Sequence, residues 1–337
     1  MKKLCKKILS AGIIFSITLS ISLVGSEQIA LAAENPFTTE KIVELDGESK
    51  EAYIAQRMYD VFHPETIPAP VSFTIPADYI YEKISVNGAA AERLTPVKRA
   101  TDRVILQFHG GGYVQALHNG HRNLALVQSK LAGNAEVYLL DYRVAPAYHY
   151  PAALEDAVNI YRGLLDSGYA PDNILLIGDS AGGNLVMALA LYLKDHKLPE
   201  PKALVLISPW LMMENTLPSR SENFDKDVVL GKNGTPLVSE IVHSRYAEGT
   251  DLKNPYLSPL YGDFRGLPPI FIQTGEYETL LDDGLELAKR AEQAGVSVTQ
   301  KTYAAMPHDF AVCMPDLKES RTSWEDLQKF IDKHMPK

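Results

Sequence analysis

The chain has 337 residues, of which 46% are hydrophobic and 22% are charged. Its formal net charge is −9, so it carries no basic footprint for nucleic acid. Only two cysteines are present, Cys5 and Cys313, which excludes a disulfide-rich scaffold and a cysteine-rich zinc or iron–sulfur site.

The first 32 residues have the pattern of a secretory signal peptide. Four lysines among the first seven residues precede an uncharged apolar run, Ile8 to Val24, and the small residues Ala30-Leu31-Ala32 follow. We expect cleavage after Ala32 and secretion of residues 33–337 as a single domain, without membrane insertion. The apolar run is about 17 residues long, the lower limit for crossing a bilayer, so an uncleaved membrane anchor is the alternative.

The elements that follow are predicted in chain order as a helix, a hairpin and then an alternation of strands and helices. Glu40 to Phe62 has a helical pattern, and Asn87-Gly88 predicts a turn between strands at Tyr79 to Val86 and Ala89 to Leu94. Further strands are expected at 104–108, 136–140, 174–177, 203–207, 270–273 and 296–303. Further helices are expected at 122–131, 151–165, 181–196, 281–294 and 323–334. This alternation predicts an α/β fold with a mostly parallel sheet covered on both faces.

One polar segment, Trp210 to Pro259, interrupts the alternation. It contains Gly231, Gly234 and Pro236, and its pattern fits neither strands nor long helices. We interpret it as an insertion over the carboxyl edge of the sheet, with lid elements at about 211–256, rather than as a second domain.

Two glycine-rich motifs end predicted strands and point to acyl-transfer chemistry. The sequence from Gly178 to Gly182 matches G-x-S-x-G, a sharp turn that presents the hydroxyl of Ser180 at the sheet edge. Upstream, His109-Gly110-Gly111-Gly112 has the form of a loop whose backbone N–H groups approach a developing oxyanion. Either motif alone is also compatible with a simple glycine-rich turn. Their order along the chain favours catalysis.

A serine nucleophile needs a base and an acid, and these follow it in the chain in this architecture. Of the histidines after Ser180, only His308 lies in the loop after the last predicted strand, which returns a side chain to the carboxyl edge. The acid is expected after the strand at 270–273. Spacing leaves four carboxylates open there: Glu276, Glu278, Asp282 and Asp283.

With these motifs in place, the chain resembles the hormone-sensitive-lipase type of carboxylesterase, which has the α/β-hydrolase fold. The resemblance runs from about Arg103 to Phe310. It rests on the ordered motifs at 141–146, 151–156, 178–184, 208–210, 257–260 and 266–269. The N-terminal segment, with elements at about 36–78, corresponds more loosely to the N-terminal part of that family's cap.

The resemblance implies hydrolysis of a small-molecule carboxylic ester through an acyl-enzyme on Ser180, with His308 as the base. The oxyanion donors would be the N–H groups of Gly111, Gly112 and Ala181. Where the family often has aspartate as the acid, this sequence has Glu278, and Asp282 is the second choice. No metal or organic cofactor is implied.

Pocket residues and competing functions remain as expectations. Tyr113, Trp210 and Phe310 are expected to line an acyl pocket, with ordinary core packing as the alternative. His118 and His121 are interpreted as loop histidines near the pocket mouth rather than metal ligands.

Short to medium acyl chains are expected, because the sequence shows no long apolar lid helix. An amidase, peptidase or thioesterase would use the same residues, so these activities are alternatives. A non-catalytic small-molecule receptor is a remote alternative, because plant gibberellin receptors resemble this family but lack the triad histidine, which is present here as His308. A homodimer stays open.

Overall fold

An eight-stranded sheet forms the centre of the protein, as seen in a computed structural model that describes residues 41–62 and 71–336. The strands are β1 (Tyr79–Val86), β2 (Ala89–Pro96), β3 (Val104–Phe108), β4 (Glu136–Leu140), β5 (Ile174–Asp179), β6 (Ala203–Ile207), β7 (Ile270–Gly275) and β8 (Val298–Tyr303). Their order in the sheet is β1-β2-β4-β3-β5-β6-β7-β8. Strands β3 to β8 run parallel, and the β1–β2 hairpin adds antiparallel to β4.

Helices precede, connect and follow the strands. They are α1 (Gly47–Phe62), α2 (Asn119–Leu131), α3 (Ala152–Asp166), α4 (Ala181–Asp195), α5 (Ser219–Glu222), α6 (Val238–Val242), α7 (Leu281–Gln293), α8 (Phe310–Cys313) and α9 (Lys318–His334). Every residue of β3 to β7 is buried. Because successive side chains of a strand point to opposite faces, both faces of the sheet are covered. The predicted sheet architecture is therefore confirmed.

Several element boundaries differ from the sequence-based expectation. Helix α1 begins at Gly47 rather than at residue 40, and β8 begins at Val298 rather than at 296. Helix α2 begins at Asn119, three residues early, because His118 caps it: Nδ1 of His118 accepts a hydrogen bond from the Gly120 N–H at 3.1 Å. Histidine is not a common capping residue, so composition carried no signal for this start.

The fold brings one end of several parallel strands together. The carboxyl ends of β3, β5, β6, β7 and β8 lie along one edge of the sheet, and the loops that leave them carry the predicted site residues. The described residues belong to one compact unit. Within residues 41–62 and 71–336, no helix is both long and apolar enough to span a membrane. The predicted signal peptide and its cleavage after Ala32 lie outside these residues.

Candidate active site

Ser180 occupies the turn between β5 and α4 in a strained backbone conformation. Its φ of 52° and ψ of −116° are sparsely populated by residues with a side chain. Two hydrogen bonds hold the turn: the Ser180 N–H donates to the Ile207 carbonyl at 2.9 Å, and the Trp210 N–H donates to the Ser180 carbonyl at 3.1 Å. Gly182 allows close approach to the neighbouring strand, because a Cβ there would lie 2.1 Å from the Phe108 carbonyl oxygen. The turn is therefore fixed by the strands on both sides of it.

His308 faces the hydroxyl of Ser180 from the loop after β8. The His308 Nε2 lies 3.0 Å from the Ser180 Oγ, and its Nδ1 lies 3.4 Å from the Glu278 Oε2. All three side chains are buried. The structure thus brings together the predicted serine, histidine and first-choice acid in one hydrogen-bonded line, an arrangement that can move a proton from the serine to the imidazole.

Glu278 is the one carboxylate of the four candidates that contacts His308. Its Oε1 accepts hydrogen bonds from the Ser208 Oγ, at 2.6 Å, and from the Gly275 N–H. Asp282 instead accepts from the Ser219 N–H at 2.8 Å, and Asp283 forms an ion pair with Arg220 at 2.7 Å. Glu276 accepts from the Ala305 N–H at 2.8 Å. The four carboxylates therefore differ in their partners, and only Glu278 is hydrogen-bonded to His308.

The glycine loop after β3 lies beside the serine turn. Gly111 and Gly112 have φ values of 104° and 63°, which side chains disfavour. A Cβ at Gly110 would lie 2.2 Å from the Asp179 Oδ2, so the loop packs directly on the residue before the serine. Ala181 begins helix α4 next to Ser180. The three predicted oxyanion donors therefore belong to two segments that meet at Ser180.

A cavity of about 600 Å³ opens at the serine. Its wall includes Ser180, His308, Gly111, Asp179 and Asp309 from the loops at the sheet edge. The remaining wall residues come from α1 and the chain after it, α2 and its preceding loop, the insertion, and α8: Arg57, Asp60, Val61, Val71, Gln115, Ala116, His118, Asn119, Gly120, His121, Val229, Leu237, Val312 and Cys313. A concave site with convergent polar groups of this kind is typical of a small-molecule pocket.

Comparison with known proteins agrees with this geometry. The family model of the α/β-hydrolase fold matches residues 105–312. An acetyl-hydrolase of Streptomyces hygroscopicus is 37% identical over 248 residues, covering 74% of this chain and 81% of the relative. A solved structure of an esterase from the bacterial hormone-sensitive lipase family is 33% identical, with a TM-score of 0.73, and the match covers 94% of this chain and 100% of that one. The chain belongs to the hormone-sensitive-lipase type of carboxylesterase.

A further relative supports the same activity class. An esterase of Acinetobacter venetianus is 33% identical over 249 residues, covering 73% of this chain and 80% of the relative. The protein is therefore a carboxylic-ester hydrolase with the α/β-hydrolase fold, as the sequence motifs predicted.

The three aromatic residues expected in the acyl pocket of this esterase lie elsewhere. Tyr113 stacks on Tyr246 with ring centroids 4.1 Å apart, and its hydroxyl donates to the Asn184 Oδ1 at 2.8 Å. The Trp210 indole N–H donates to the Met212 carbonyl at 2.9 Å. Phe310 is fully buried beside the Tyr303 ring. Each ring already has core partners, so the structure places all three in the core rather than among the described residues of the cavity wall.

His118 and His121 were expected in a loop, but His118 caps helix α2 and His121 lies in its first turn, and both belong to a stack of histidines that includes His109 of the glycine loop. The ring centroids of His118 and His121 are 3.7 Å apart, and those of His121 and His109 are 4.8 Å apart. Burial lowers the pKa of His109 and of His118 to about 4, and it lowers that of His121 well below the usual range. The stack is therefore uncharged near neutral pH, and His118 and His121 reach the cavity wall.

Two residues that sequence reasoning missed contact the Ser–His–Glu line. Ser208 has a φ of 45°, and besides binding Glu278 its Oγ accepts a hydrogen bond from the Asp309 N–H at 3.2 Å. The Asp309 Oδ2 lies 3.2 Å from the His308 Nε2, the same nitrogen that faces Ser180. Ser208 belongs to a motif that carried the family resemblance. The position of Asp309 directly after His308 was the only signal for its contact.

The carboxylates around His308 set its protonation. Burial lowers the pKa of His308, but Asp309 and Glu278 together outweigh burial and hold that pKa well above its usual range. Burial also raises the pKa of Glu278 to about 7, against the hydrogen bonds from His308 and Ser208. Because a base must be neutral to accept a proton, this environment restricts proton transfer from Ser180 at low pH.

Replacing Asp309 with asparagine should shift the pH dependence of this esterase. The asparagine side chain would keep the size of the aspartate and tolerate the φ of 53°, but it would remove the charge that stabilises the imidazolium. The pKa of His308 should fall, so the acid limb of kcat/KM should move to lower pH by about one unit. The measurement is the pH profile of ester hydrolysis for Asp309→Asn, with Asp282→Asn as the control. An unmoved acid limb would contradict this role for Asp309.

Proposed function

We propose that this esterase is secreted and hydrolyses small esters with short to medium acyl chains through Ser180, His308 and Glu278. The observation that supports the triad most directly is the 3.0 Å contact between the Ser180 Oγ and the His308 Nε2, with Glu278 at the other imidazole nitrogen. A nucleophile, its base and the group that orients the base then stand in one line.

In this proposal, His308 takes the proton of Ser180 as the Oγ attacks the ester carbonyl. The negative charge that forms on the carbonyl oxygen is stabilised by the N–H groups of Gly111, Gly112 and Ala181. His308 then gives its proton to the leaving alcohol, which leaves an acyl group on Ser180. A water molecule, activated by the same imidazole, releases the acid. Glu278 holds the imidazole in orientation and stabilises its cation.

The proposed preference for short to medium chains rests on the cavity and on the segments proposed as its cap. The cavity has a volume of about 600 Å³. Val229 and Leu237 of the insertion line the cavity wall. The helices α5 and α6 of this insertion have only four and five residues. Arg57 and Val61 come from α1 in the N-terminal segment. We propose that these segments at about 36–78 and 211–256 cover the acyl-binding side.

Removing the nucleophile tests the proposal. Ser180→Ala should lower kcat by a factor on the order of 10³–10⁶, because the substitution removes the hydroxyl that attacks the ester carbonyl in this proposal. The measurement is hydrolysis of p-nitrophenyl acetate, butyrate and laurate by residues 33–337. Ser221→Ala, an exposed serine in α5, should retain the wild-type rate. Equal activity of Ser180→Ala and wild type would rule out Ser180 as nucleophile, and laurate as the preferred ester would contradict the chain-length proposal.

Substitutions at two neighbouring carboxylates test which residue is the acid of the proposed triad. Glu278→Gln should lower kcat by about 10²–10⁴, because the imidazole loses the charge that orients it and stabilises its cation. Asp282→Asn should stay close to the wild-type rate, since Asp282 binds the Ser219 N–H and not His308. The measurement is kcat of both variants on p-nitrophenyl butyrate. A greater loss of kcat in Asp282→Asn than in Glu278→Gln would make Asp282 the acid instead.

Secretion is supported by the lysine-rich start, apolar run and small residues of the first 32 positions. We expect the exported protein to begin at Ala33. Mass analysis of the mature N-terminus, together with its distribution between membrane and medium, is the measurement. A chain that keeps Met1 and stays in the membrane fraction would instead establish the uncleaved anchor.

A further inference from the structure

Arg57 is a buried cation on the wall of the active-site cavity. Its side chain lies on α1, and the residue is only 6% exposed. The Nε atom is buried and has no hydrogen-bond partner among the described residues. The guanidinium also forms no hydrogen bond or ion pair with any residue in the described part of the chain. A charge held in this way is strongly unfavourable unless something else binds it.

The carboxyl groups near Arg57 are each engaged elsewhere. Asp60, one turn further along α1, accepts a hydrogen bond from the Gln56 amide at 2.8 Å. Asp316 accepts from the Tyr53 hydroxyl at 3.0 Å. Across the cavity, the Oδ2 of Asp309 contacts His308. Burial and the charge of Asp309 raise the pKa of Asp179 well above its usual range, which favours its neutral form. None of them supplies a direct counter-charge to the guanidinium.

We propose that Arg57 binds a carboxylate of the ester substrate, so that the esterase prefers esters that carry a free acid group. This proposal rests on the proposed function, since it places the substrate in the same cavity as Ser180. A guanidinium presents N–H donors in a planar fork that matches both oxygens of a carboxylate. Two valines of the same cavity wall, Val61 and Val71, offer apolar contact to the carbon chain that joins this carboxylate to the ester.

The free carboxylate could stand on either side of the scissile bond, and matched substrates separate the two cases. Monomethyl glutarate carries it on the acyl side, with methyl hexanoate as its neutral counterpart. 4-Acetoxybutyrate carries it on the alcohol side, with pentyl acetate as its neutral counterpart. Hydrolysis is monitored by titration of the released acid. The quantity compared is the ratio of kcat/KM for the anionic ester to kcat/KM for the neutral ester.

Arg57→Gln should lower this ratio about tenfold or more for at least one pair, because the charge-assisted hydrogen bonds are lost. The neutral esters should lose kcat/KM by a much smaller factor than the anionic esters, since they make no charged contact with Arg57. Arg57→Lys should retain part of the preference, because it keeps the charge but not the fork. Arg265→Gln, the same change at an exposed position, should leave every ratio unchanged.

Three results would overturn the proposal. An equal loss on both members of each pair would assign Arg57 a structural role in α1. Unchanged kcat/KM for every ester would show that no substrate carboxylate reaches Arg57. A shifted pH profile with an unchanged ratio would mean that Arg57 acts through Asp309 instead.

A direct binding measurement tests the carboxylate site independently of the proposed catalytic triad. Calorimetric titration of Ser180→Ala with monomethyl glutarate and with 4-acetoxybutyrate measures affinity without turnover. Adding Arg57→Gln should weaken binding of at least one of them about tenfold or more, whether or not Ser180 is the nucleophile. Equal affinity for both ligands with and without Arg57 would refute the carboxylate site while leaving the proposed esterase mechanism untouched.

Discussion

The site depends on a strained turn that is held by the strands on both sides of it. Ser180 keeps its unfavourable backbone conformation because β5 has a parallel neighbour on each side, β3 and β6. The carbonyl of Ile207, at the end of β6, binds the Ser180 N–H, and Gly182 packs against the end of β3. At an edge strand one of these supports would be missing. The serine, the glycine loop and Ser208 are therefore adjacent because three neighbouring strands end together.

The side chains with ionisable groups that contact the His308 imidazole are both carboxylates. Glu278 approaches Nδ1, Asp309 approaches Nε2, and Asp179 lies further away in the same buried region. Glu278 and Asp309 favour the imidazolium, while burial opposes it, and the carboxylates prevail. Glu278 contacts the Nδ1 atom alone, whereas Asp309 and Ser180 both contact the Nε2 atom. The loop after β8 thus carries both His308 and a carboxylate that narrows the pH range in which the imidazole is neutral.

Local sequence pattern was sufficient to predict the strands and the contact between Ser180 and His308, but it could not predict features that depend on three-dimensional packing. The hairpin at Asn87-Gly88 and the buried strands are evident from turn chemistry and apolar runs. Spacing could not choose between Glu278 and Asp282 as the proposed acid, because the two lie close in sequence and differ only in burial and hydrogen-bond partners. The pocket prediction chose aromatic residues beside the motifs. The wall is instead assembled from α1, α2 and the insertion, far apart in sequence.

The histidine stack behind the glycine loop makes the folded protein itself sensitive to acid. In the unfolded chain, His109 and His118 would take up protons near their ordinary pKa of 6.5, whereas in the fold they do so only near 4. Between these values the unfolded state binds more protons, so the stability of the fold decreases as pH falls through this window. Acidification therefore destabilises the packing behind the glycine loop in the same direction of pH change that protonates His308, so both effects act together.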